Sequence, residues 1–395
     1  MLSNHHIDVV KSTIPLLENA GSALTAHFYQ RMFSHNPELK HIFNLTNQDT
    51  GRQQVALFEA IAAYAKHIDD LAHLSTAVER IAHKHTSFNI QPDHYQIVGH
   101  HLIETLRELA PDAFTREVEE AWTAAYGFLA GIFIDREGQL YLERKAAAGG
   151  WQGKRAFNVA AKKKESELVT SFTLVPVDGQ GVINYHSGQY LGVEVVPLGS
   201  EYTEIRQYSI SQAANDNSYR ISVKRELGGD NPQGVVSNYL HEHVEEGDTV
   251  SLYAPAGDFY FVDRETPVVL ISAGVGITPM QSMLETLDKQ GYQHPVHFYH
   301  ACEGVDQHSF DTHNKSICDK QRWDYKVWYL NSATEQPNKF NGLMHFECES
   351  LPLNDGHFYL CGPIGFMQFA KQALLDKGVA DERIHYEVFG PHESL

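Results

Sequence analysis

Val268-Val-Leu-Ile-Ser-Ala-Gly-Val-Gly-Ile-Thr-Pro279 runs from a continuous apolar stretch, through two glycines, into a helix-like segment. Val268 to Ile271 has no polar alternation, as expected of a strand buried on both faces. The glycines suit a tight turn that brings backbone N–H groups close to a phosphate at a helix N-terminus. A lone Gly-x-Gly carries little weight; strand, turn and helix in that order are what the chemistry needs. The helical texture continues from Met280 to Gln290. Short apolar runs follow at Val296 to Tyr299, Val327 to Leu330 and Phe358 to Cys361, with another helical stretch from Phe366 to Lys377. This βαβ texture predicts an α/β domain with a parallel sheet over residues 264–395. Cys361-Gly-Pro363 closes one of the later strand-like runs.

Upstream, the periodicity changes. Tyr219, Ile221 and Val223 alternate with Arg220, Ser222 and Lys224, and Val193 and Val195 flank Glu194. Short strands with frequent turns predict an antiparallel β-barrel over residues 154–263. Ala146 to Gly153 reads as a helix end and linker whose glycines can supply a left-handed cap. Residues 1–145 read as helical. Leu24, Phe28 and Met32 recur at i, i+4, as do Leu57, Ile61 and Ala65, and Gly21, Pro37, Pro92 and Pro111 mark breaks. The expected fold is therefore multidomain: an all-α domain, an antiparallel barrel and an α/β parallel-sheet domain. No repeat or low-complexity segment is evident.

The chain has 395 residues, with 50 acidic against 31 basic side chains and a formal net charge of -19. Such a surface repels nucleic acid and anionic lipid. The N-terminus shows no basic region leading into an apolar run, so no secretory signal is expected. The most apolar stretch, Pro267 to Met280, is shorter than the roughly 20 residues of a membrane span. Cys302, Cys318, Cys348 and Cys361 show no Cys-x-x-Cys spacing, which fits a reduced compartment. A cytoplasmic protein without stable membrane insertion, nucleic-acid ligand or obligate protein partner is expected.

Chemistry in the helical third is harder to read. With 24 histidines in the chain, no single one stands out. His83 and His85, in Ile81-Ala-His-Lys-His-Thr-Ser-Phe88, are the central candidates. An all-α segment of about 140 residues has the size and class of a globin. The stretches Thr25-Ala-His-Phe-Tyr-Gln-Arg-Met-Phe33, His35-Asn-Pro-Glu-Leu39 and Lys84-His-Thr-Ser-Phe88 resemble the globin domain of flavohaemoglobins. That resemblance implies a haem b pocket with His85 as the proximal iron ligand and Lys84 beside it as a functional residue. His83, two residues away on a helix, points elsewhere and is read as solvated. The resemblance further places Phe43 and Leu57 against the haem, and Tyr29 and Gln53 on the distal side. Tyr95 and Glu137 form a proximal network with His85; a carboxylate bonded to a ligand imidazole makes it more basic, which favours oxygen activation over storage. Without the resemblance, Glu137 reads as a solvated residue near a helix end.

The same resemblance extends downstream. Arg206-Gln207-Tyr208-Ser209 looks like the Arg-x-Tyr-Ser motif of ferredoxin-reductase-type flavoproteins. It implies FAD, with Arg206 on the pyrophosphate, Tyr208 stacked on the ring and Ser209 near N5. Tyr190 in Gly188-Gln-Tyr190, and Gly234, Val236 and Ser237 at an expected helix start, complete the flavin set; Gly228 to Gln233 is longer than in some relatives. Gly274, Val275, Gly276, Ile277, Thr278 and Pro279, with Cys361, Gly362 and Pro363, resemble the reductase signatures for NADH or NADPH. Tyr386-Glu-Val-Phe-Gly-Pro-His392 matches the family's tail, implying that Phe389 covers the flavin and Glu387 lies at its edge, with Gly390, Pro391 and His392 alongside. The family reaction is nitric oxide dioxygenation, with nitric oxide, dioxygen and NAD(P)H as substrates. The rivals are an oxygen-storing or sensing globin and a reductase that passes electrons to other acceptors.

Overall fold

The computed structural model describes residues 2–43, 52–228, 233–332, 336–346 and 351–390, and it leaves out the side chains of residues 20, 52, 53 and 71. Among the described residues of the first third there are seven α-helices: α1 (Asn4–Ser12), α2 (Ile14–Ala20), α3 (Ser22–His35), α4 (Arg52–Lys66), α5 (Ser75–Thr86), α6 (Pro92–Leu109) and α7 (Arg116–Ala146). The breaks fall where backbone chemistry demands. Gly21 separates α2 from α3 at a φ of 54°, and Pro92 opens α6, where its missing N–H costs nothing. Leu24, Phe28 and Met32 bury one face of α3 in a core shared with Leu102, Leu106 and Trp122. Leu57 and Ile61 of α4 pack against the same core, which also takes in Ala65.

A six-stranded sheet follows, in the order β4-β3-β6-β1-β2-β5: β1 (Arg155–Lys164), β2 (Val169–Pro176), β3 (Tyr190–Val195), β4 (Glu204–Ser209), β5 (Tyr219–Lys224) and β6 (Thr249–Ala256). β1 pairs antiparallel with β2 and β6, and β2 with β5. An antiparallel bridge between Ile210 and Ile221 brings the chain leaving β4 back to β5 and closes the barrel. On β5 the alternation holds with one exception: Ser222 is buried as well as Tyr219, Ile221 and Val223. Its hydroxyl bonds those of Ser171 and Ser211, both at 2.7 Å, so the polar group is satisfied. α8 (Val235–His243) interrupts the strands.

The second sheet is parallel throughout, in the order β10-β9-β8-β7-β11-β12. Its strands are β7 (Val268–Ala273), β8 (Val296–Cys302), β9 (Asp324–Tyr329), β10 (Lys339–Asn341), β11 (His357–Cys361) and β12 (Ile384–Glu387). Helices α9 (Ile277–Gln290), α10 (Asp311–Gln321) and α11 (Ile364–Asp376) connect them. Every residue of β7 is buried, as its unbroken apolar run predicts. One core lies under α9 and α10, around Met280, Leu284, Phe298 and Ile317; the other lies under α11, around Ile271, Phe358, Ala370 and Leu374.

The contacts divide the chain into two compact units. The first joins Met1–Ala146 with Glu194–Arg206; the second holds Ala147–Val193 and Gln207–Leu395. Within the first unit, Thr203 donates its N–H to His41 Nδ1 at 3.1 Å and its hydroxyl to the His41 carbonyl at 3.1 Å. Tyr202 packs edge-on against the His41 ring, and Lys40 lies over Tyr202. In the linker, Gly149 is left-handed but sits three residues past the end of α7, so it is not that helix's cap. It is confined instead: a Cβ there would lie 2.6 Å from the Val182 backbone.

Candidate functional site

Helices α5, α6 and α7 bring His85, Tyr95 and Glu137 together. His85 Nδ1 lies 2.8 Å from Glu137 Oε1 and 2.9 Å from the Tyr95 hydroxyl, and that hydroxyl donates to Glu137 Oε1 at 2.5 Å. Burial, then the charge of Glu137 and its hydrogen bond, push the Tyr95 phenol far above its ordinary range. Tyr95 therefore stays protonated and can only donate to the carboxylate. With Nδ1 committed to Glu137, Nε2 is the ring nitrogen turned to other chemistry. The Glu137 side chain is 3% exposed and His85 33%. Glu137 is thus a buried acceptor and not the solvated residue that its neighbours Asp135 and Arg136 suggest. Phe133 packs 5.7 Å from the His85 ring and stacks with Tyr95 at 6.2 Å, holding both rings in place.

The reading of His83 as solvated is corrected. Its side chain is 12% exposed, and Nε2 meets Glu79 at 3.1 Å while Nδ1 meets Arg144 at 3.3 Å. Arg136 grips Glu79 with two nitrogens, each at 2.6 Å, and Arg144 bonds the Thr86 hydroxyl. This fork-like pairing locks the last turns of α5 onto α7 and so fixes the backbone that carries His85. The sequence reading missed Glu79, Arg136 and Arg144 as supports, because their partners lie some sixty residues away; only the i, i+4 spacing of Glu79 and His83 hinted at it. Lys84 sits in the same turn, where its carbonyl accepts the Ser87 hydroxyl at 2.6 Å.

Tyr29 is buried on α3, in an aromatic cluster with Phe28, Phe33 and Phe43 at centroid distances of 5.0 to 5.9 Å. Leu57 borders the same core. Gln53 falls within α4, but its side chain lies outside the described part. Among the described residues, no group of three or more His, Cys, Asp or Glu could hold a metal ion. A lone imidazole backed by a carboxylate would suit a metal that brings its remaining ligands with it, as in a porphyrin.

On β4, Arg206 and Tyr208 project to one face and Gln207 and Ser209 to the other. Ser209 is buried, and Arg206 is held by Glu204 at 2.8 Å and by the Ile205 carbonyl. Arg206 is thus pre-oriented but shares its charge with Glu204. Tyr190 packs on Gly257, where a Cβ would stand 2.9 Å from its ring. Gly234 precedes α8 as expected, and Val236 and Ser237 are buried in its first turn. Of Gly228 to Gln233, residues 229–232 lie outside the described part.

The parallel sheet places the remaining motifs together. Strand order reverses at β7, between β8 and β11, and ligands of such sheets bind beyond the carboxyl ends of the strands at that point. Gly274-Val275-Gly276 leaves β7 there, and Cys361-Gly362-Pro363 leaves β11 there. The two signatures touch: a Cβ on Gly276 would come within 2.3 Å of the Cys361 carbonyl oxygen. Gly274 has a φ of 54°, and Ile277, Thr278 and Pro279 form the first turn of α9, with the Thr278 hydroxyl on the Val275 carbonyl. Cys361 is fully buried, and burial pushes its thiol well up, so it is no nucleophile. Glu387 ends β12, level with Cys361, and Phe389 is 45% exposed with Gly390 next to it. Pro391 and His392 lie outside the described residues, as does Cys348.

A helical domain with a carboxylate-backed histidine, a flavin-type barrel and a dinucleotide-type parallel sheet define a globin joined to an electron-transfer oxidoreductase. Family models agree: Globin matches residues 26–133, the oxidoreductase FAD-binding domain 156–261 and the oxidoreductase NAD-binding domain 270–372. The chain is 64% identical to a flavohemoprotein of Vibrio cholerae over the full length of both. The chain belongs to the flavohaemoprotein family. It resembles the crystal structure of a Malassezia yamatoensis flavohemoglobin with bound FAD and haem at a TM-score of 0.86 and 26% identity, covering 98% of this chain and 100% of that one. It also resembles the FAD/NAD-binding domain of a Vibrio cholerae nitric oxide dioxygenase at a TM-score of 0.58 and 54% identity, covering 60% of this chain and 99% of that one. It is an oxidoreductase in which reduced nicotinamide drives electron transfer to haem.

Proposed function

We propose that the chain is a nitric oxide dioxygenase that uses NAD(P)H to convert nitric oxide and dioxygen to nitrate. The observation that carries this reading is the His85–Tyr95–Glu137 triangle. Its cofactors are haem, FAD and a nicotinamide dinucleotide. When bound, haem would supply redox-active iron and FAD a carrier between two-electron and one-electron transfer.

The chain's own residues do the rest. His85 would hold the iron through Nε2, while Glu137 takes the hydrogen bond from Nδ1 and would make the ring a stronger donor. Tyr95 orients that carboxylate. Tyr29 and Gln53 offer hydrogen bonds on the distal side, and Phe43 and Leu57 exclude water. Lys84 contributes a charge beside His85. Arg206, Gln207, Tyr208, Ser209 and Tyr190 bind FAD, with Gly234, Val236 and Ser237 giving a further phosphate contact. Gly274 to Pro279 and Cys361 to Pro363 bind the dinucleotide, and Glu387 with Phe389 to His392 borders the flavin. The domain bounds of this reading are 1–145, 146–153, 154–263 and 264–395.

The 54% identical reductase of a nitric oxide dioxygenase supports it. So does the buried proximal carboxylate, which a storage globin does not need. Among the described residues no helix is long and apolar enough to cross a membrane; a cytoplasmic setting, with the gases and NAD(P)H as sole partners, completes the proposal. The test is nitric oxide removal followed by electrode, with nitrate analysis. Nicotinamide oxidation that is indifferent to nitric oxide, with no nitrate formed, defeats the proposal in favour of a reductase.

A further inference from the structure

Helix α9 begins at the strand-order reversal and runs back along the barrel. One stripe of it, at i, i+3 and i+7, is bonded to the loop that leaves β4. The Ser282 hydroxyl donates to the Gln212 carbonyl at 2.7 Å. The Ala213 N–H donates to Glu285 Oε2 at 2.9 Å, and Lys289 Nζ donates to the Ala214 carbonyl at 2.8 Å. Glu285 also collects Arg220 of β5 at 2.8 Å, Gln281 at 3.0 Å and His313 of α10 at 3.2 Å, all on Oε1. Arg220 donates in turn to the Ser211 carbonyl and lies over Phe310. One partly buried carboxylate therefore ties together β5, the chain leaving β4, α9 and α10. Burial opposes its charge, but His313, Arg220 and Gln281 outweigh burial and hold it at about 2.

Apolar contacts also join these parts: Met283 of α9 packs close to Gly188 and Phe259. Such contacts are non-directional and tolerate sliding. Charge-assisted bonds in a fixed fork do not. Glu285 lies eight residues beyond Ile277, the first residue of α9, or about 12 Å along the helix. Gln212 and Ala213 follow Ser209 by only three and four residues. The bonds thus set the register between the segments that hold the dinucleotide and the flavin.

We infer that Glu285 is a positioning residue for hydride transfer, fixing the nicotinamide-binding turn against the flavin-binding strand through residues 211–214. This rests on the assignment of β4 and the α9 turn to FAD and nicotinamide. The test uses the full holoprotein and Glu285→Gln, which keeps the shape and removes the charge. Expected are faster amide exchange at Ala213, a weaker charge-transfer absorbance with saturating nicotinamide dinucleotide, and normal FAD content. Single-turnover flavin reduction by NADH or NADPH should slow on the order of tenfold to a hundredfold, as misplacement by about an ångström can do. Arg220→Ala should follow the same pattern, and Arg220→Lys should recover part of the rate. Lower thermal stability with an unchanged reduction rate and charge-transfer band overturns the inference. If Glu285→Gln does not fold, Glu285→Asp, which keeps the charge but draws the carboxylate back from the Ala213 N–H, tests the same tie, and an unchanged rate there overturns it too. Wild type without FAD, or with flavin that nicotinamide does not reduce, would instead defeat the assignment of the two segments.

Discussion

Two glutamates, one buried at 3% exposure and one partly buried at 16%, show how one side chain is put to opposite uses. Glu285 is bonded by an arginine, a histidine, an amide and a backbone N–H, so its charge is cancelled where it sits. Glu137 is bonded by a phenol and an imidazole. Tyr95 adds no positive charge, so the negative charge of Glu137 passes to the His85 ring through the Nδ1 bond. The first arrangement ties α9 and α10 to β5 and the chain leaving β4. The second tunes whatever His85 binds. A carboxylate's role follows from the charge of its donors more than from its depth.

The sharpest way to break this contrast is at the ligand. His85→Ala should abolish haem retention, read as loss of the Soret band, whereas His83→Ala should retain it because His83 serves the α5–α7 clamp. Haem lost from the His83 variant alone would exchange the two roles. Glu137→Gln comes next. It should keep haem but lower nitric oxide removal by about 10- to 100-fold, the range seen when outer partners of metal ligands are changed. Haem loss in this variant would make Glu137 an anchor, as Glu285 is.

Glu285 should answer differently, through stability and pH. A carboxylate held at about 2 against an ordinary 4.5 contributes about 3 kcal/mol of folding stability, an order-of-magnitude figure. Because the folded value is the lower one, this stability is fully present above pH 4.5 and is lost as pH falls toward 2. Denaturant titrations should therefore show Glu285→Gln weaker than wild type at neutral pH, with the gap narrowing below pH 4.5. A gap independent of pH would mean that the charge is not what anchors. The smallest effect is expected at Tyr29→Phe. One hydrogen bond, about 0.5–1.5 kcal/mol, should speed dioxygen release several-fold in flash photolysis. An unchanged rate would confine Tyr29 to its aromatic cluster.

Legibility in the sequence followed distance along the chain. The Gly274–Pro279 turn was readable because strand, turn and helix are contiguous, and β7 and α9 stand where the pattern put them. That Cys361 closes on Gly276 was not readable, since it depends on β11 lying beside β7 in a sheet ordered by crossovers. His83 was misread because Arg144, its neighbour in space, is 61 residues away. Glu137 looked solvated beside Asp135 and Arg136, and only the family resemblance singled it out; its burial against Phe133 and Tyr95 is a property of three packed helices. The Glu285 seam left no trace, because its partners come from four separate elements.

The way Glu194–Arg206 packs with the helical unit bears on how this protein can be taken apart. The linker-like sequence at Ala146 to Gly153 invites a cut there, with each half expressed alone. Such a cut would strand Thr203, whose N–H and hydroxyl both bond to His41, and would uncover the Tyr202 ring. It would leave the lead-in to β4 without its partner just three residues ahead of Arg206. A reductase fragment that binds FAD weakly would then report on the surgery, not on the flavin-binding residues. A dissection that respects the packing has no single cut point, because the natural border crosses the chain three times, near residues 146, 194 and 206.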